Sequence, residues 1–161
     1  MSRRTRPWLL PASVLSAIVL GLLPLPELLQ PLRPYWLALV VAYWLIEYPD
    51  RAGLGLAFAC GLLADLAFGT LLGEQALRLV VMAFIIQRFR ARLRFFPPWQ
   101  QALAIGGLLF NDRIVDAAIN VALGLPPLKG MFWLAPLAGM LLWPPVFWGL
   151  DAMRLGSWRR G

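Results

Sequence analysis

Three features of the sequence predict an all-α integral membrane protein with about six transmembrane helices. Hydrophobic residues make up 60% of the 161 and charged residues only 14%, against about 45–50% and about 25% in a soluble domain. Apolar runs recur along the whole chain, and its length accommodates about six of the roughly 20-residue segments that cross a hydrocarbon core. The basic residues fall mostly at alternate joints between these runs. Loops and tails are left with about 40 residues, too few for a separate soluble domain, so residues 1–161 are read as a single transmembrane domain.

The first span is read over 8–23, closed by Pro24 and Pro26. Arg3, Arg4 and Arg6 ahead of an apolar run also suit a signal peptide, with a faint twin-arginine look. Pro11 and the lack of a small-residue cleavage site followed by polar sequence favour a retained helix. The second span, 32–48, has Pro34 in its first turn, where a missing N–H costs nothing. It and the third, 53–68, measure about 24 Å at helical rise, short enough to suit a thinned membrane or a re-entrant pair. The fourth span covers 71–89. The fifth covers 99–124, between Pro97–Pro98 and Pro126–Pro127, and the sixth covers 131–150.

Orientation follows from the arginines, because basic residues near span ends stay on the cytoplasmic side. With the N-terminus inside, that side holds Arg3, Arg4, Arg6, Arg51, Arg88, Arg90, Arg92, Arg94, Arg154, Arg159 and Arg160. The outside holds Arg33 and Lys129, with Arg78 just within a span. Both termini are therefore expected in the cytoplasm. The net charge of +7 is thereby assigned to topology, and no nucleic acid is expected as a partner. Trp8, Tyr43, Trp44, Tyr48, Trp99 and Trp158 are expected at the inner interface and Tyr35, Trp36 and Trp133 at the outer one, as lipid anchors.

Composition also narrows the chemistry. There is no histidine and one cysteine, Cys60, which removes most proton-shuttling, zinc and thiol options and any internal disulfide. No Gly-x-Gly-Asp, Gly-x-Ser-x-Gly or phosphate-cradling glycine loop occurs. No enzyme, cofactor or metal site is expected.

Three other features invite a functional reading. Small residues repeat every four positions at Ser13, Ala17 and Gly21 and again at Gly53, Ala57 and Gly61, faces that let helix backbones approach. They serve packing within the chain or docking of another membrane protein. Charged and polar residues fall inside spans: Asp65, Arg78, Asn111, Asp112, Arg113, Asp116 and Asn120. Asp112, Asp116 and Asn120 share a helical face and Arg113 can reach Asp116. The readings are a buried packing network, a proton or solute pathway, and a partner-facing patch. Matching depths by helical rise pairs Asp65 with Arg113 and Arg78 with Asp116. Last, Arg88, Arg90, Arg92 and Arg94 alternate with Phe89 and Leu93 ahead of Phe95–Phe96, a patch suited to anionic lipid or to an acidic cytoplasmic partner.

The order of motifs resembles the bacterial rod-shape-determining membrane protein family MreD, in its proteobacterial form. The resemblance is carried by Arg33-Pro34-Tyr35-Trp36, by Tyr43-Trp44 followed by Pro49, and by Gly61-x-x-x-Asp65-Leu66-x-x-Gly69-x-x-x-Gly73-x-x-Ala76-Leu77. Trp99-Gln100-Gln101-Ala102-Leu103 and Leu142-Trp143-Pro144 continue it, over about residues 30 to 150. Gly69 and Gly73 of this motif join the expected packing or partner face. The resemblance implies a noncatalytic inner-membrane subunit of the cell-elongation machinery that helps regulate peptidoglycan synthesis. Its implied partners are the scaffold MreC and, within the same machinery, RodA, its penicillin-binding transpeptidase and MreB. The family is similar in fold to the substrate-binding subunits of energy-coupling-factor transporters, which supplies the alternative of a small-molecule-binding subunit of a vitamin-type transporter.

Overall fold

A computed structural model describes residues 8–24, 26–28, 35–47, 53–69, 72–126 and 130–156. The described residues form six α-helices: α1 (Leu9–Leu22), α2 (Trp36–Glu47), α3 (Leu54–Phe68), α4 (Glu74–Phe95), α5 (Pro98–Ala122) and α6 (Ala135–Gly156). A short 3-10 turn, Gly130–Leu134, precedes α6. The all-helical architecture agrees with the sequence reading. α4 continues beyond Phe89 through the arginine-rich stretch to Phe95, and α6 runs on to Gly156. Arg33, Pro34, Tyr48, Pro49, Arg51, Pro127, Lys129, Trp158 and both terminal arginine groups before Trp8 and after Gly156 lie outside the described residues.

Among the described residues no helix is long and apolar enough to cross a membrane. α1, α2 and α3 have 14, 12 and 15 residues, only about 21, 18 and 22 Å by rise against a hydrocarbon core of about 30 Å. α4, α5 and α6 have 22, 25 and 22 residues, but charges and polar side chains dilute the apolar runs of α4 and α5, and prolines and tryptophans that of α6.

Cross-helix contacts define an up-and-down bundle. Gly61 meets Ala76 while Asp65 meets Gly73, Arg78 meets Asp112 while Leu93 meets Gln101, and Gly106 meets Met140 while Gly139 meets Leu109, so α3–α4, α4–α5 and α5–α6 run antiparallel. Tyr35 with Gln75 and Ile46 with Arg90 make α2 and α4 parallel. α2 occupies the centre, packed on α1, α4, α5 and α6, with every residue from Leu37 to Ile46 buried. A helix apolar on all sides belongs there. This corrects the expectation for two aromatics: Tyr43 and Trp44 are core residues, stacked edge-on with centroids 5.4 Å apart. Trp8 and Trp99 do stand exposed, at 54% and 62%.

The ends of these helices are closed by identifiable groups. The Gly69 N–H bonds to the carbonyl of Asp65 with Gly69 in the left-handed region (φ 67°), which ends α3 without the steric cost that a Cβ imposes there. The α2 C-terminus receives Arg90, whose Nε donates to the Ile46 carbonyl at 3.0 Å, satisfying an acceptor that the helix leaves open. Pro97 and Pro98 open α5 with preset backbone angles.

Candidate functional site

The charged residues expected inside the bundle converge at the end where α3 hands over to α4. Arg78 is the hub. Its Nε donates to Asp112 Oδ1 at 2.9 Å and its Nη2 to Asp112 Oδ2 at 2.6 Å, a two-pronged pair joining α4 to α5. Such geometry matches the planar guanidinium to the carboxylate and is the strong form of an ion pair. Nη1 lies 3.8 Å from Asp116 and 4.0 Å from Glu74. The guanidinium also sits over the Tyr35 ring, 4.9 Å from its centre, where the ring face attracts a cation. Arg113 reaches Asp116 at 3.5 Å, one turn along the same helix.

Depth matching named the right helices for Arg78 but the wrong first partner, since Asp112 holds the guanidinium and Asp116 only flanks it. For Asp65 it failed. Asp65 is buried, and its two carboxylate oxygens accept the backbone N–H groups of Gly73 and Gln75, each at 2.8 Å. The first turn of α4 presents N–H groups with no partner inside the helix and a positive dipole end. A carboxylate eight and ten residues upstream of these N–H groups satisfies both. Gly73 adopts φ 99° to aim its N–H at the carboxylate. Gly69 and Gly73 therefore work as turn residues, and an added Cβ at either meets nothing within 4 Å; neither forms a packing face.

The small residues of the two four-residue repeats do lie against neighbours within the chain. A Cβ on Gly61 would overlap the backbone of Ala76 and approach the Gln75 carbonyl carbon at 2.9 Å, which places α3 and α4 in backbone contact. Ala57 and Ala17 are buried, and a Cβ on Gly53 would touch only the Gln87 side chain, at 3.6 Å. Gly21 packs on the Phe68 ring, and Ser13 accepts the Trp44 indole N–H at 2.8 Å. Of the arginine patch, Arg88, Arg92 and Arg94 are exposed on α4 while Arg90 caps α2. Asn111 and Asn120 lie on α5 and are partly buried.

Three members of the network were not singled out as polar-site residues by sequence reasoning. Tyr35, expected as a lipid anchor, donates its hydroxyl to the Gln75 side chain. Glu74 precedes Arg78 by four residues, a spacing that favours pairing and could have been read. Gln75 gave no signal. Together the groups tie α2, α3, α4 and α5 at one end of the bundle. The crevice left beside Tyr35, Asp112 and Arg113 has a volume of about 10 Å³, room for about one water molecule. Among the described residues no group of three His, Cys, Asp or Glu could hold a metal ion.

The fold and site thus define a small all-helical protein in which ionic groups lock helices to one another. The model of the family described as rod shape-determining protein MreD matches residues 2–150. The chain is 35% identical over 131 residues to the rod shape-determining protein MreD of Haemophilus influenzae, covering 81% of each chain. It therefore belongs to the MreD rod shape-determining family. No solved structure matches it.

Proposed function

We propose that this chain is a noncatalytic, multi-pass subunit of the rod-shape machinery in the bacterial inner membrane. One observation carries the membrane reading: large apolar side chains cover the surface while a paired set of charges is kept inside the apolar core. Arg78, Asp112, Asp116 and Asp65 are at most 7% exposed, while Leu15, Leu66, Phe84, Val121 and Leu141 are 60–74% exposed. In water that distribution is unfavourable on both counts; in lipid it is the stable one. The short helices cross together, as a bundle in a locally thinned bilayer, with both termini in the cytoplasm on the strength of the arginine asymmetry. Exposed Arg88, Arg92 and Arg94 beside Phe95 and Trp99 then face anionic headgroups.

Family membership supports a role in cell shape, exercised through contacts with MreC and, within the same machinery, RodA, its transpeptidase and MreB, so as to regulate peptidoglycan synthesis. The network leaves no room for a vitamin-sized solute in the crevice beside it. The test is a detergent pull-down of the tagged chain with mass spectrometry. Recovery of MreC and wall synthases supports this reading; recovery of a transporter's ATPase and coupling subunits overturns it. Reporter fusions after Gly161 and within 89–97 should both report cytoplasm, and a periplasmic signal from either would refute the topology.

A further inference from the structure

α5 packs against α2, α4 and α6, which leaves its opposite side uncovered by the chain. Leu103, Phe110, Ile114 and Val121 on that side are 48–70% exposed, and Gly107 and Ala118 are exposed with them. Spaced by three or four residues, they form one stripe along the helix. Asn111 lies on the same side, one turn beyond Gly107 and near the middle of α5. Its carboxamide has no hydrogen-bond partner among the described residues, and no charged residue lies on the stripe. A carboxamide at that depth needs a partner, because lipid chains offer neither donor nor acceptor. Two other outward faces show the contrast. On α1, Ser16 donates to its own Ala12 carbonyl at 2.8 Å, and the exposed face of α3 around Phe58, Leu63 and Leu66 carries no polar side chain.

Chemistry and symmetry together select the occupant. Two amide donors and a carbonyl acceptor make asparagine complementary to itself. Copies of the chain inserted in one membrane share an orientation, so a twofold axis along the membrane normal brings Asn111 of one copy to Asn111 of the other at equal depth. Gly107 beside it presents bare backbone, with nothing of its own chain within 4 Å of where a Cβ would stand, and so permits close approach. Gln100, eleven residues earlier, returns to the same side of the helix after three turns, and one symmetric contact pairs both amides. A helix of another protein would have to carry matching amides at both depths. We propose that the outward face of α5 is the interface with a second copy of this chain, a parallel α5–α5 pair joined through Asn111. This rests on the membrane reading above and concerns the chain's own copies, not its partners in the machinery.

The test is oxidative crosslinking of the full chain in cell membranes, with Cys60→Ala as the background. Ile114→Cys places a thiol on the stripe, seven residues from Gly107 and so on the same seam. Copper phenanthroline should convert it to a covalent dimer of twice the chain's mass, while Phe58→Cys, exposed on α3, should stay monomeric. Adding Asn111→Leu to Ile114→Cys should lower the dimer yield about tenfold, and Gly107→Leu should do the same by holding the backbones apart. Asn111→Gln keeps the amide and should retain most of the dimer. Neither leucine substitution disturbs the monomer, since Asn111 has no side-chain hydrogen bond within it and Gly107 faces open space; equal amounts in the membrane fraction check this. No dimer from Ile114→Cys overturns the proposal, as does a dimer that survives both substitutions or an equal yield from Phe58→Cys. A covalent product of any other mass shows another protein's helix on this face and overturns it too. Resistance to alkaline carbonate extraction separates the two readings. A resistant chain without dimer sinks this proposal alone, and an extracted chain sinks the membrane reading with it.

Discussion

α1 and α3 carry small residues at the same spacing, and the bundle uses that spacing in two different ways. On α3, Gly61 brings the backbone against Ala76 of α4, and nothing flexible lies between the two chains. On α1, Ser13 meets the indole of Trp44 and Gly21 the ring of Phe68, so side chains mediate these two approaches. The α3–α4 side is further bolted by Asp65 and by the Arg78 network, whereas the α1 side borders an apolar groove between α1, α2 and α6. A four-residue repeat of small side chains therefore specifies a surface that can be approached, and the neighbour decides how closely.

The sharpest way to break this comparison is to enlarge the two glycines. Gly61→Leu should prevent accumulation of folded protein, and Gly61→Ala should cost about 3 kcal/mol, read by denaturant titration of purified protein. Gly21→Ala should cost about 1 kcal/mol, since the tip of the Phe68 ring can shift; equal losses at the two sites would erase the distinction. On the bolted side, Arg78→Gln and Asp112→Asn should each cost about 3–5 kcal/mol by stranding a buried charge, at least as much as Gly61→Ala. The double change should cost less than their sum, and strict additivity would show that the pair does not act as a unit. Asp65→Asn should cost about 2 kcal/mol through its bonds to Gly73 and Gln75, while leaving the Arg78 cycle unchanged. Ser13→Ala removes one neutral hydrogen bond from the looser side and should cost about 1 kcal/mol. Smallest of all, Cys60→Ala should leave rod shape intact by microscopy and cost at most about 1 kcal/mol.

The helices were legible in the sequence because proline and glycine mark their ends and apolar composition marks their bodies. Arg78, Asp112, Arg113 and Asp116 were legible as a set because a charge among apolar residues must be paired, and i, i+3 and i, i+4 spacing limits the choices. Partner assignment was not legible for Asp65, because rise along a helix measures depth between charged side chains and ignores backbone N–H groups as competitors. Tyr43 and Trp44 were misassigned for a related reason. Aromatic rings near a helix end suit a lipid interface, and a helix apolar on all sides suits lipid as well as the centre of a bundle; α1, α4, α5 and α6 decide between them by enclosing Leu37 to Ile46.

The Asp65 turn also has a kinetic meaning. Its two hydrogen bonds span only 8 and 10 residues, and a loop of that size closes in about 10–100 ns. Low contact order favours early formation, so α3 and α4 can come together as a hairpin as soon as both exist. The carboxylate of Asp65 is hydrogen-bonded within that hairpin. An inserting chain then presents no naked carboxylate to lipid while it waits for α5 to deliver Asp112 to Arg78.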